Sequence, residues 1–298
     1  MTVSIGEAYE RLVANPGVTF LVGDIDTGKT TFGLELIRRA LDAGVRAAFV
    51  DADIGQSSVG PPTTVGLKHF APADEVSLES VRVADHLGFA GSLTPRGHVL
   101  PVVMSTAKLV AKARESGFSS IVVDTTGMVS GISGQVLKYH KMDAVAPEYV
   151  VAFERGGELE PIVGIAHRFT SAEVLELEVP ASIPTRTAEE RMSFRESQFA
   201  SYFARGASRW RVKPTVFMPT LPPDFDLIRL DGLLVGMEDG TGDCVGIGVL
   251  EYDGGEDILR MVSPVTTGVK GLRLGSVRID IEGRSKGPVS LRQLFGTE

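Results

Sequence analysis

GDIDTGKTT, Gly23 to Thr31, fits the phosphate-loop pattern Gly-x4-Gly-Lys-Thr at every fixed position. Its flanks decide the fold. Before it, VTFLV (Val18–Val22) is a short apolar run with β-branched ends, bounded by Gly17 and Gly23, and reads as a buried strand. After it, Leu34, Ile37 and Leu41 recur at helical spacing until Ala43-Gly44 supplies a stop. A glycine loop between a strand and a helix is the setting in which this pattern holds phosphates. Glycines let backbone N–H groups turn inward, and the helix N-terminus adds positive potential. Gly23, Asp26, Thr27, Gly28, Lys29, Thr30 and Thr31 are therefore expected to bind ATP or another nucleoside triphosphate. Lys29 would reach the β and γ phosphates, and Thr30 would hold Mg²⁺. Asp24 and Asp26 are the anomaly: they put negative charge in a loop built for a negative ligand.

Working outward, RAAFVDAD (Arg46–Asp53) is a second apolar run and completes a βαβ unit. A short helix over Ser4–Ala14 precedes it, ended by Asn15-Pro16-Gly17. Val102–Gly117 reads as a helix with a glycine stop, SSIVVDTTG (Ser119–Gly127) as a strand ending in an acid, and YVVAF (Tyr149–Phe153) as a buried strand. Alternation of this kind predicts a parallel sheet covered on both faces, with ligands at the carboxyl ends of its strands. After Arg205 the texture changes. LLVGM (Leu233–Met237), CVGIGVLEY (Cys244–Tyr252) and SVRIDI (Ser276–Ile281) alternate with turns and read as a small all-β module. The expected fold is an α/β phosphate-loop NTPase with a mostly parallel sheet flanked by helices, plus a small C-terminal all-β domain. The expected boundaries are 1–212 for the first, with an arginine-bearing lid helix at about 185–206, and 213–298 for the second.

Composition narrows the function. The chain has 298 residues, 43% of them hydrophobic, which is enough for a sizeable core. Its net charge of −8 argues against a protein that coats duplex DNA, because such binding needs many cations, but not against an enzyme that grips one end of a strand. The lone cysteine, Cys244, cannot form an internal disulfide and is expected to be a small buried residue. The start lacks a basic stretch followed by an apolar run, and no stretch approaches about 18 apolar residues. A soluble cytoplasmic protein with no membrane contact is expected, and nothing points to an obligate protein partner.

Three further motifs carry chemistry. In DADIGQ (Asp51–Gln56) a carboxylate at the strand end is placed to accept a proton from an attacking hydroxyl. Asp51 would either join the Mg²⁺ shell or, with Asp53, cap the following turn, and Gln56 would face the acceptor. In IVVDTTG (Ile121–Gly127), Asp124 is a Mg²⁺ candidate, and Thr125, Thr126 and Gly127 would meet the γ-phosphate or the acceptor, unless the stretch is only a polar turn. In TRTAEERMSFRESQFASYFARG (Thr185–Gly206), Arg191 and Arg195 share a helix face and Arg186 stands at its start. Seven basic and three acidic residues make Thr185–Lys213 strongly positive within a negative chain. The choice is between a solvated helix and an arginine lid over the phosphoryl group. GSLTPRGH (Gly91–His98) reads as a loop able to shape a substrate site, with His98 at the surface, and Trp210 reads as core more readily than as a base-stacking residue.

In order, these motifs resemble the polynucleotide 5′-hydroxyl kinase family, which includes the kinase subunit of the pre-mRNA 3′-end cleavage factor, and the chain is similar to its shorter archaeal and bacterial members. GDIDTGKTT, DADIGQ with Pro61-Pro62 behind it, FAGSLTP, DTTGMVSG, the arginine helix ending in Tyr202-Phe203, and LVGMEDGTGDCVGIGVL carry the resemblance. It implies ATP-dependent transfer of the γ-phosphate to the 5′-hydroxyl end of RNA or DNA. On this reading Lys29 and Thr30 match the phosphate-loop lysine and metal ligand, Asp53 the residue that activates the hydroxyl, and Arg186, Arg191 and Arg195 the lid arginines. Met128 departs from the tryptophan common at its position, and the N-terminal β domain of the large eukaryotic members has no room in this length. A nucleotide switch would leave DADIGQ and the arginines without roles, and no Asn-Lys-x-Asp guanine motif is present. An idle scaffold would not need Lys29, Thr30 and Asp53 together.

Overall fold

The computed structural model describes every residue except Met1, Ala73, Ala181, Thr297 and Glu298. Its helices are α1 (Ile5–Ala14), α2 (Lys29–Asp42), α3 (Val99–Glu115), α4 (Gly131–Val145), α5 (Glu160–Phe169), α6 (Ala188–Phe203) and the single turn α7 (Leu291–Leu294). The strands of the first half are β1 (Val18–Gly23), β2 (Ala47–Ala52), β3 (Thr64–Phe70), β4 (His86–Phe89), β5 (Ser120–Thr125), β6 (Tyr149–Glu154) and β7 (Glu173–Glu178). Those of the second are β8 (Ser208–Val212), β9 (Phe217–Met218), β10 (Leu233–Glu238), β11 (Cys244–Asp253), β12 (Ile258–Ser263), β13 (Gly271–Ile279) and β14 (Ser285–Pro288).

β1, β2 and β5 are buried along their whole length, as strands covered on both faces must be. They run parallel in the order β2-β5-β1-β6-β7. α1 and α2 pack on one face, and α3, α4 and α5 on the other. Gly33 lets α2 lie close against the sheet, because a Cβ there would stand 2.8 Å from the Phe49 ring. Beyond β2 the sheet turns antiparallel through β3 and β4. Residues 53–63 contain no helix, so the chain doubles back instead of making the long crossover that a parallel neighbour needs.

The β-rich second half continues the same sheet. β11 joins β4 through the pairing of Cys244 with Leu87. β10, β11 and β13 pair antiparallel, and β8 pairs with β12. Phe89 of β4 and Phe199, Tyr202 and Phe203 of α6 share an apolar cluster with β10, β11 and β13. The Tyr202 hydroxyl also accepts from the Ile247 N–H at 2.9 Å. The last turns of α6 are therefore rooted in the β half, and its first turns face the phosphate loop. Cys244 is buried, which pushes its thiol pKa up to about 12, and Trp210 packs against the β-half core. Among the described residues no helix is long and apolar enough to cross a membrane.

Candidate active site

Gly23 closes β1 at a point where a Cβ would sit 2.7 Å from Thr27 Oγ1 and 2.9 Å from Phe153 Cβ. Gly28 takes the left-handed conformation at φ +86° and starts α2. Lys29 lies buried over the loop, donating to the carbonyls of Gly23 (2.9 Å) and Asp24 (2.6 Å) and to Thr27 Oγ1 (3.2 Å). Burial lowers its pKa, opposed by Asp124, Asp53, Asp24 and Asp26. Thr30 Oγ1 donates to Asp124 Oδ2 at 2.5 Å. Asp24 turns its carboxylate to the Ile25 N–H.

The acids at the strand ends take different places. Asp51 and Asp124 are register partners across β2 and β5. The Asp51 carboxylate accepts from the N–H groups of Asp53, Ser58 and Val59 at 2.9, 2.5 and 3.2 Å, which makes it a turn cap outside the cavity lining. Burial, with Asp124 and Asp53 beside it, holds it well above the usual carboxylate range. Asp124 is raised by burial, with Lys29 and Thr30 opposing. Asp53 accepts from the N–H groups of Gly55 and Gln56 at 3.0 Å, both on Oδ1. Among the described residues its Oδ2 accepts none, and Asp53 lines the cavity in front of Lys29 and Thr30.

The arginine helix starts at a capping box, Thr187 with Glu190, which fixes where its first turn begins. Asp26 receives it. Arg186 donates to Asp26 through Nε at 2.8 Å and through its backbone N–H at 2.9 Å, and Arg191 Nη1 stands 3.5 Å from Asp26 Oδ2. Arg191 also donates to the Arg186 carbonyl, and Gln56 Nε2 donates to the Arg191 carbonyl at 3.2 Å. Burial would raise the Asp26 pKa, but the bonds and charge from Arg186, with Arg191, hold it below the usual carboxylate range. Arg195 stands a turn further along α6, half-buried and outside the cavity lining; burial and Arg191 lower its pKa.

The turn after β5 is tied into the fold on both sides. Thr125 Oγ1 donates to the Leu21 carbonyl at 2.7 Å and accepts from Lys138 Nζ at 2.6 Å. The Thr126 carbonyl accepts from the same ammonium at 2.6 Å. Gly127 meets the phosphate loop directly, since a Cβ there would lie 2.5 Å from the Ile25 nitrogen. Gly127→Ala is expected to displace the loop and weaken ATP binding at least about tenfold, by a steric clash of the overpacking kind. Isothermal titration with ATP checks this, and unchanged affinity would refute it.

Sequence reasoning missed Lys138 and Lys141, both fully buried on α4. The signal was present. Gly134, Leu137, Lys138, Lys141, Met142 and Val145 form the buried stripe of the helix, so both lysines occupy apolar positions of a helical repeat. Lys141 Nζ donates to the Ala52 carbonyl at 3.1 Å. Burial lowers its pKa from 10.5 to about 8. The unfolded chain then binds more protons than the native one between these two values, so stability rises with pH across that window. Lys141→Met is therefore expected to be more stable than wild type at pH 7, with the advantage shrinking as pH rises from about 8 towards 10.5. Urea unfolding at several pH values tests it, and a pH-independent difference would count against it.

These elements enclose a cavity of about 410 Å³. Asp26, Thr27, Gly28, Lys29, Thr30 and Thr31 form its floor, and Asp53, Gln56, Asp124, Thr125 and Gly127 one wall. Arg186, Arg191 and Phe194 close it from above, and Leu78, Ile183 and Pro184 give it an apolar side. Gly23, Asp51, Thr126 and Arg195 lie outside the lining. A hydroxyl and a carboxylate oxygen meeting at the loop, as Thr30 and Asp124 do, are hard donors that fit Mg²⁺. Among the described residues no three His, Cys, Asp or Glu side chains form a metal cage of their own. That suits an ion that keeps waters and shares phosphate oxygens.

The family model described as mRNA cleavage and polyadenylation factor CLP1 P-loop matches residues 23–205. A polyribonucleotide 5′-hydroxyl-kinase of Pyrococcus abyssi is 28% identical over 94% of this chain and 93% of its own. One of Methanocaldococcus jannaschii is 25% identical over 90% of this chain and 88% of its own. Among solved structures, a Clp1p–Pcf11p complex superposes with a TM-score of 0.70 at 12% identity, over 92% of this chain and 78% of that one, which establishes a shared fold.

Proposed function

The chain belongs to the CLP1 P-loop family, and from that membership we propose that it is an ATP-dependent polyribonucleotide 5′-hydroxyl kinase. The observation that carries the reading is the single cavity in which a phosphate-loop lysine, a hydroxyl–carboxylate pair, a free carboxylate oxygen and two arginines face one another. A switch or an idle scaffold has no use for Asp53 and the arginines opposite Lys29.

The residues divide the work as follows. Backbone N–H groups of the loop and Lys29 bind the β and γ phosphates of ATP. Thr30 and Asp124 would hold Mg²⁺, which when bound supplies charge neutralisation at the phosphate oxygens. The 5′-hydroxyl of the RNA approaches from the Asp53 side. Its proton passes to Asp53 Oδ2 as its oxygen attacks the γ-phosphorus, and the bond to the ADP oxygen breaks. Arg186 and Arg191 exchange Asp26 for the transferring phosphoryl group and stabilise the charge that spreads over its oxygens. Positioning supplies much of the rate, because little covalent chemistry is asked of the protein.

The test is direct. Protein, Mg²⁺, ATP labelled in the γ-phosphate and oligoribonucleotides with 5′-hydroxyl or 5′-phosphate ends are combined. Label should enter only the 5′-hydroxyl RNA. Acceptor-independent hydrolysis with no labelled end would sink the reading, and equal labelling of oligodeoxyribonucleotides would broaden the acceptor class to DNA.

A further inference from the structure

Lys138 and Lys141 expose none of their surface and take no direct part in the transfer step described above. Lys138 is accounted for locally, since its ammonium ties the Thr125 hydroxyl to the Thr126 carbonyl. Lys141 is not. An ammonium has three donors, and among the described residues Lys141 uses one, on the Ala52 carbonyl. A fully buried cation with a single protein partner costs free energy that a methionine of similar length would not. The position therefore holds a charge for a reason other than packing.

Its surroundings supply the reason. Ala52 is the single residue between Asp51 and Asp53, so the lysine grips the backbone unit that carries both acids. Asp53, Asp51 and Asp124, in that order, are the carboxylates that most favour its charged form. These acids crowd the ends of two adjacent strands and repel one another. Lys29 lies on the loop side, over the phosphate site; Lys141 comes from α4, on the opposite face of the sheet.

We propose that Lys141 is a positioning residue for phosphate transfer: it anchors the end of β2 through the Ala52 carbonyl and supplies the countercharge that keeps the crowded carboxylates in the arrangement presenting Asp53 to the acceptor. The proposal rests on the kinase reading. It divides two jobs between two lysines: Lys29 serves the phosphates and Lys141 serves the acids.

The experiment compares wild type, Lys141→Met and Lys141→Gln in the full chain, with ATP and a 5′-hydroxyl oligoribonucleotide. Glutamine keeps a donor without the charge, and methionine keeps only the length. Both variants are expected to fold, to bind ATP within about twofold of wild type, and to keep the oligonucleotide KM. Their kcat should fall by about a hundredfold, the loss expected when a reacting group is misplaced by about 1 Å. Wild-type kcat in either folded variant overturns the proposal. A loss confined to KM or to ATP affinity overturns it too, as does failure of both variants to fold, since the lysine would then be structural. A wild-type chain that labels no RNA end instead overturns the kinase reading itself, before any variant is made.

Discussion

Asp53→Asn is expected to bind ATP within about twofold of wild type and to lower kcat for RNA phosphorylation by about 10³-fold, within the range of general-base contributions. The amide keeps the shape of the side chain. Its oxygen can still accept from Gly55 and Gln56, which hold Oδ1 at 3.0 Å, so the turn survives. What is lost is the second oxygen's capacity to take a proton. The two halves of the prediction separate roles that activity alone confuses. A fall in ATP affinity with kcat retained would place Asp53 in nucleotide binding. Retention of both would remove it from the mechanism and return DADIGQ to the turn-capping role that Asp51 already fills. The oligonucleotide KM should barely move, because a proton acceptor contributes in the transition state more than in the bound complex.

Local chemistry explains which features could be read from sequence. The phosphate loop was legible because strand, glycine turn and helix are consecutive, and each has its own signature around Gly23-x4-Gly28-Lys29-Thr30. The parallel strands β1, β2, β5 and β6 were legible because burial on both faces forces near-continuous apolar runs. The antiparallel pair β3 and β4 was not, since TVGLKHF (Thr64–Phe70) shows no regular apolar–polar alternation and direction depends on the missing crossover helix after Asp53. The β-rich half was visible as strands, but its continuity with the main sheet rests on one pairing, Cys244 with Leu87, that no local pattern encodes. At the site, residue type gave the cast, and tertiary contact decided the parts. Asp51 and Asp53 look equivalent in DADIGQ, yet backbone N–H groups occupy both oxygens of the first and only one of the second. Thr125 reads as a phosphate or acceptor contact, and the fold adds a tie that no local pattern encodes, from the Leu21 carbonyl through its hydroxyl to Lys138.

Arg191→Ala should lower kcat by about 10³-fold, the lower end of what an arginine placed on a transferring phosphoryl group contributes. Asp26→Asn should cost less, about tenfold in kcat, and the pair should show coupling in a double-mutant cycle. The argument starts from the anomaly in GDIDTGKTT. Asp26 sits at φ +53°, a conformation uncommon for any residue but glycine, and its side chain is only 6% exposed. A negative group so placed beside phosphates would be repulsive if it stood alone. It does not: Arg186 and Arg191 meet it, and Arg155 donates to its carbonyl at 2.7 Å. The acid thus gathers the arginines over the loop, where on the proposed reading a γ-phosphate would compete for the same guanidinium groups. With Asp26 neutralised, the arginines lose a guide but keep their target, hence the smaller effect. With Arg191 gone, part of the target's countercharge disappears, and Asp26 has less left to position, hence the coupling. The pH dependence has a definite sign. Because Asp26 is held below the usual carboxylate range, its contribution is intact above that range and is lost as pH falls through its lowered value. Wild-type kcat should therefore fall on the acid side more steeply than that of Asp26→Asn. Strictly additive single-mutant losses, or an acid limb unchanged by Asp26→Asn, would return the aspartate to the role of an ordinary loop residue.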